Sequence, residues 1–174
     1  TTSFMEERRR ALLAIVLVGA APTVSTILSY GAGDGSISQA IFMFTKLWLF
    51  CVPLIWFLKI DAGTLSWSKP EQGGYAMSVG LGIGMSIVML LAWFLLGDAI
   101  DAKLLSDALE PVVLLDPQVY LLATIYWIVV NSLLEEYVFR WFLVTKSEIL
   151  VGTGTPAIIL SALIFVVHHT VALA

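Results

Sequence analysis

Glu135, Glu136 and Arg140 fall within six residues of one apolar stretch. A charged side chain near the centre of a bilayer costs on the order of 2.5 to 3.5 kcal/mol on insertion scales, so three in so short a run need a reason. Glu136 and Arg140 are four apart, hence on one helical face with the acid on the favourable amino-terminal side, and they read as an ion pair. Glu135, rotated by about 100° from Glu136, has no partner of opposite sign on its own face. It is the carboxylate left for chemistry. Beside an imidazole it can hold and deprotonate a water for attack on a peptide carbonyl.

The imidazoles are His168 and His169, on the next apolar stretch. A helical rise of about 1.5 Å per residue places Glu135 about 16 Å from the level of Lys146, and the two histidines about 18 to 20 Å from Pro156 on the same side. A short link with Lys146, Gly152, Gly154 and Pro156 favours antiparallel neighbours, and the two sets then meet within about one turn. Two carboxylates and two imidazoles are therefore expected to share a water-accessible cavity. Neutral imidazole and carboxylate oxygens are also zinc ligands, so a divalent metal such as zinc is an alternative use of these residues. The lack of HExxH spacing makes metal the weaker reading. Asn131, one turn before Glu135, is placed to hydrogen-bond to it or to a neighbouring helix.

The elements that must position these residues are membrane helices. The chain of 174 residues is 59% hydrophobic and 13% charged, with a mean hydropathy of +0.95, beyond the apolar share of a soluble domain. At about 20 residues per crossing there is room for about five spans, so the expected fold class is all-α, a polytopic bundle forming one domain over residues 1–174. The spans are expected at Ala11 to Tyr30, Ile37 to Ile60, Tyr75 to Leu96, Val119 to about Val144, and Ala157 to Ala174. The first could pass for a signal peptide, but its apolar run continues beyond Gly19, Ala20 and Ala21, and Pro22 would sit beside any cleavage site. An uncleaved anchor is preferred. Lys46 is read near the start of the second span, snorkelling or facing protein. Ala76, Gly80 and Gly84 form a small-residue face suited to close helix packing. The segment Gly97 to Gln118 is acidic, and part of it is expected to lie as an amphipathic helix on the surface, with Asp98 as a cap.

Basic residues gather on one side, at Arg8 to Arg10, Lys59 and Lys69, and Lys146. By the positive-inside rule the amino terminus faces the cytoplasm and the acidic connection lies opposite. No basic stripe exists for nucleic acid, so no nucleic-acid partner is expected. Cys51, the single cysteine, cannot form a disulfide or thiolate metal site within the chain and reads as a small buried hydrophobe.

The string Glu135-Glu136-Tyr137-Val138-Phe139-Arg140 resembles the EExxxR motif of the CAAX-protease and bacteriocin-processing family (CPBP, or Abi) of intramembrane proteases. Phe165-Val166-Val167-His168-His169 resembles that family's second motif, FxxxH, with His169 in the histidine position. The two occur in order on consecutive apolar stretches, and the motif region spans residues 119–174. The resemblance implies a membrane endopeptidase in which Glu135 and His169 activate water, while Glu136 and Arg140 orient or support them; His168 and Asn131 are read as supporting residues from their positions alone. It implies as partners the lipid bilayer and a membrane-embedded peptide or protein substrate, in a prokaryotic plasma (inner) membrane. The family also has a later helix with a histidine followed by an asparagine or similar residue. The sequence ends at Ala174, directly after the second motif, so the motif region is expected to be incomplete at its C-terminal end. The alternative is a non-catalytic subunit of the same scaffold that stabilises a larger membrane complex; ion or proton transport through the polar cluster is weaker still. Gly31-Ala32-Gly33-Asp34 matches the GxGD string of presenilin-type aspartyl proteases, but reads as a turn.

Overall fold

The computed structural model describes residues 2–32, 35–66, 74–110 and 113–173. The expected fold class holds: the protein is 89% helical, without strands among the described residues, and five helices are long and apolar enough to cross a membrane. Such a fold satisfies every backbone donor and acceptor within its own segment, which the hydrocarbon core demands. Gly33, Asp34 and Lys69 lie outside the described residues, and with them the end of the GxGD string.

The chain forms two compact units. The first comprises residues 1–64 and 127–174. Its leading span, Ser3–Ala32, contains the expected crossing and is built of two helices, α1 (Thr2–Gly19) and α2 (Ala21–Ala32). Pro22 has no N–H for the preceding turn and its ring clashes with the backbone there, so the break falls just ahead of it. α3 (Gly35–Ile55) runs on through a π-helical stretch, Trp56–Ile60, and packs along α2. Of the expected loop from Gly31 to Ser36, Gly31 and Ala32 belong to α2 and Gly35 and Ser36 to α3.

Ala11, Ala14, Ile15 and Val18 recur at helical spacing on α1 and are buried. Ala14, Ile15 and Val18 meet Leu49, Trp56, Val138, Phe142 and Leu143 in one cluster. The indole of Trp48 donates to the carbonyl of Leu17 at 2.9 Å, and the Tyr137 hydroxyl donates to that of Phe50 at 3.0 Å. These bonds fasten α3 between α1 and the motif segment. Cys51 is a correction: it is exposed, on a turn of α3 whose buried residues are Leu49 and Pro53.

The fourth candidate span covers Pro117–Val151, longer than expected. Lys146 does not begin a link. It lies inside an α-helix, Val144–Val151, where it is buried and ion-paired with Asp61. The link is confined to the residues around Gly152 and Gly154, whose φ values of 92° and 82° suit glycine. Within the motif region the helix is wound as π over Glu136–Leu143, after a short α turn, Ser132–Glu135. The last span is Thr155–Ala172, which packs against Val144–Val151 and against α2.

The second unit, residues 65–126, contains the span Tyr75–Leu96, none of whose residues is buried. A Cβ at Gly80 or Gly84 would meet nothing within 4 Å, so their face makes no close helix approach among the described residues. The acidic segment does hold a short amphipathic helix, Ala102–Leu109. Its cap is Asp101 rather than Asp98, because Asp98 is taken up in a 3₁₀ turn while the Asp101 carboxylate accepts from the N–H groups of Lys103 and Leu104. Asp116 caps Pro117–Ile125 in the same way.

Candidate active site

The motif helix carries Glu135 at the seam between two cavities of the first unit. On one side is a cavity of about 30 Å³ whose lining includes Pro22, Lys46, Glu135 and His168. That is room for at least one water among groups able to bond it. On the other side is a groove of about 710 Å³, mostly apolar, walled by Phe139, Val144, Ile158, Ala162 and Phe165 and carrying Glu135, Glu136 and Arg140. Its size falls in the range that takes up ligands or peptide side chains.

The partner that Glu135 lacks on its own helix comes from α3. Lys46 Nζ donates to Asn131 Oδ1 at 2.5 Å, and Asn131 Nδ2 donates to Glu135 Oε1 at 2.8 Å. Asn131 therefore does bond Glu135, four residues on, while its other end receives a cation 85 residues away in the chain. Lys46 does not snorkel. Counting at about 1.5 Å per residue from Gly35 puts it about 16 Å inside the span, too deep for its stem to reach the surface. That count was open to sequence reading, which instead placed Lys46 near a helix start.

Glu136 and Arg140 form the expected ion pair, Nε to Oε2 at 3.1 Å. Their side chains are 54% and 79% exposed, on the groove side and away from the small cavity. The expected single cavity with two carboxylates and two imidazoles is thus corrected to one carboxylate, one imidazole and one ammonium. Helix rotation is the reason: adjacent residues point about 100° apart, so one member of each pair turns inward.

His168 is the imidazole that lines the cavity with Glu135, and its Nδ1 is buried without a protein partner. A buried ring nitrogen of this kind calls for a water or a functional role. His169 is not among the cavity's lining residues. Its ring stacks on Phe165 with centroids 3.9 Å apart, and its Nδ1 lies 2.9 Å from the Phe165 carbonyl oxygen. A carbonyl only accepts, so Nδ1 carries the proton and Nε2 of the neutral ring is the free acceptor. The two imidazoles are 4.9 Å apart, edge to face. Phe165 also packs edge-on against Phe139 at 5.0 Å. The F and H positions of the second motif are therefore in contact with each other and, through Phe139, with the first motif.

Among the described residues no three His, Cys, Asp or Glu side chains come together in a way that could hold a metal ion. A catalytic zinc ordinarily takes three protein ligands. The donors among the described residues do not fit a catalytic zinc.

A family model described as Rce1-like, type II CAAX prenyl endopeptidase, matches residues 117–173, about a third of the chain. The matched segment contains both motifs, and the resemblance to CAAX proteases holds there. No curated protein and no solved structure matches the chain.

Proposed function

With residues 117–173 similar to type II CAAX prenyl endopeptidases, we propose that this protein is an intramembrane endopeptidase whose attacking water is activated by Glu135. The observation that carries this reading is the double placement of Glu135. It lines a water-sized cavity that also carries His168 and Lys46, and a larger apolar groove. Water is held in the first and a membrane-embedded chain lies along the second.

In this reaction Glu135 takes a proton from water as the oxygen attacks the scissile carbonyl. A C–O bond forms, the C–N bond breaks, and the proton passes to the departing nitrogen. His168 holds the water, and His169 is the imidazole that relays the proton. His168 stands at the cavity, and His169, at the motif position, keeps Nε2 unprotonated through its bond to Phe165. Glu136 and Arg140, on the groove, hold the peptide backbone or its terminus. The distribution of basic residues supports an amino terminus in the cytoplasm, and the family resemblance a prokaryotic plasma membrane.

The test is cleavage of a prenylated peptide ending in a CAAX sequence by the lipid-embedded protein, its Glu135→Ala, His168→Ala and His169→Ala forms. Loss of about 10²-fold or more on Glu135→Ala, and of a comparable factor on at least one histidine change, is expected. Equal cleavage by all four proteins would overturn the mechanism. A folded wild type that cleaves nothing would favour the non-catalytic subunit instead.

A further inference from the structure

Resting on the reading of Glu135 as the water-activating carboxylate, we propose that Lys46 is its counter-charge and positioning residue, acting through Asn131. Lys46 sits deep in α3, about 16 Å from the Gly35 end and about 21 Å from Ile60 at the usual helical rise. A cation at that depth is met by protein, and two groups meet it: the Asn131 amide oxygen at 2.5 Å and the face of Phe42, 5.1 Å from its centroid. Among the described residues no carboxylate is ion-paired with it directly. Its opposite charge is Glu135, one amide away and on the same small cavity.

The bonding has only one possible direction. An ammonium has three donors and no acceptor, so it must take the oxygen of the Asn131 amide and leave the NH₂ end for Glu135. Glu135 Oε1 is thereby occupied as an acceptor, which leaves Oε2 as the oxygen for water in the proposed reaction. Without Lys46 the amide can turn over and present its oxygen to the carboxylate, which repels it. The pairing also completes the charge balance of the motif: Arg140 serves Glu136, and Lys46 serves Glu135. The two carboxylates of the first motif thus have different cations, one on the same helix and one on α3.

Two measurements on the protein in nanodiscs test this. On prenylated peptide, Lys46→Met lowers kcat by about 10- to 100-fold with KM within about threefold, the expected range for loss of positioning rather than of binding. Asn131→Ala does the same, and Lys46→Met/Asn131→Ala is no slower than the slower single variant, since both act in one series. Lys46→Arg, still a donor-only cation, retains at least about tenfold more turnover than Lys46→Met. The second measurement needs no activity. Lys46→Met and Glu135→Gln each lower the unfolding temperature by leaving one charge unbalanced, and Lys46→Met/Glu135→Gln recovers most of the loss. Additive losses of stability, or unchanged kcat in Lys46→Met, would overturn the proposal. Should the wild type cleave nothing, the peptidase reading falls while the stability cycle still decides whether Lys46 and Glu135 are paired.

Discussion

The hydroxyl of Ser161 donates to the carbonyl oxygen of Phe139 at 2.5 Å, joining the last span to the middle of the motif helix. Ser161 is almost wholly buried. The bond sets the height of the last span, and with it the level at which His168 and His169 stand relative to Glu135. Ser161→Ala is expected to cost about 1 kcal/mol, since interhelical hydrogen bonds in membranes average somewhat less and range to about twice that. The unfolding temperature should fall by about 2–4 °C, read by thermal denaturation in nanodiscs. Cleavage should fall too, because the slip acts on geometry.

The paired acid and the cavity acid should respond differently to neutralisation. Glu136 and Arg140 are both more than half exposed and four apart, so breaking their bond costs only about 0.2–0.5 kcal/mol of stability. Their place on the groove predicts that Arg140→Ala raises KM more than it lowers kcat. Glu135→Gln should instead lower kcat with little change in KM. Steady-state kinetics on one peptide separates the two patterns, and a large kcat loss with unchanged KM for Arg140→Ala would contradict the assignment.

Gly19 packs closely against Ile164 of the last span. A Cβ there would lie 3.0 Å from Cγ2 of Ile164 and 3.6 Å from Cδ1 of Leu143. Gly19→Val is expected to destabilise by about 1–3 kcal/mol through overpacking. Shortening the opposing side chain, as in Gly19→Val/Ile164→Ala, should restore part of that loss, which a thermal-unfolding cycle would detect.

The ion pair of Lys146 and Asp61 is lopsided: the ammonium side chain is 4% exposed and the carboxylate 31%. Removing the exposed partner strands the buried charge. Asp61→Ala should therefore cost about 3 kcal/mol and Lys146→Met less, about 1 kcal/mol, because the freed Asp61 reaches solvent while the methionine fills the apolar space beside Phe142. Chemical or thermal denaturation gives the order directly, and the reverse order would show that Lys146 finds another partner.

The crossings were legible because each is a run of about 20 apolar residues bounded by polar ones, and length and hydropathy suffice for that. The Glu136–Arg140 pair was legible from its spacing alone. Lys146 was misjudged because a charged residue near a span's end looks like the start of a link, although Asp61 buries it within the helix. The π winding over Glu136–Leu143 leaves no mark in apolar periodicity, yet it alters which side chains share a face. For the same reason a motif could single out His169 while the cavity is lined by His168: the phase of a helix is set by contacts such as Ser161 with Phe139 and Gly19 with Ile164, which are remote in sequence. The role of Lys46 was hidden by the same remoteness, since its partner Asn131 is on another span.

The position of Glu135 between a small recess and an oily furrow has a consequence for blocking the protein. In the proposed hydrolysis the two reactants would approach the same carboxylate from opposite sides, and so could be obstructed independently. A lipophilic molecule wedged beside Phe165 and Ile158 would compete with substrate and be outrun by more of it. Filling the recess instead, by Leu49→Phe on its wall, would starve the carboxylate of its nucleophile, and no excess of substrate would relieve that.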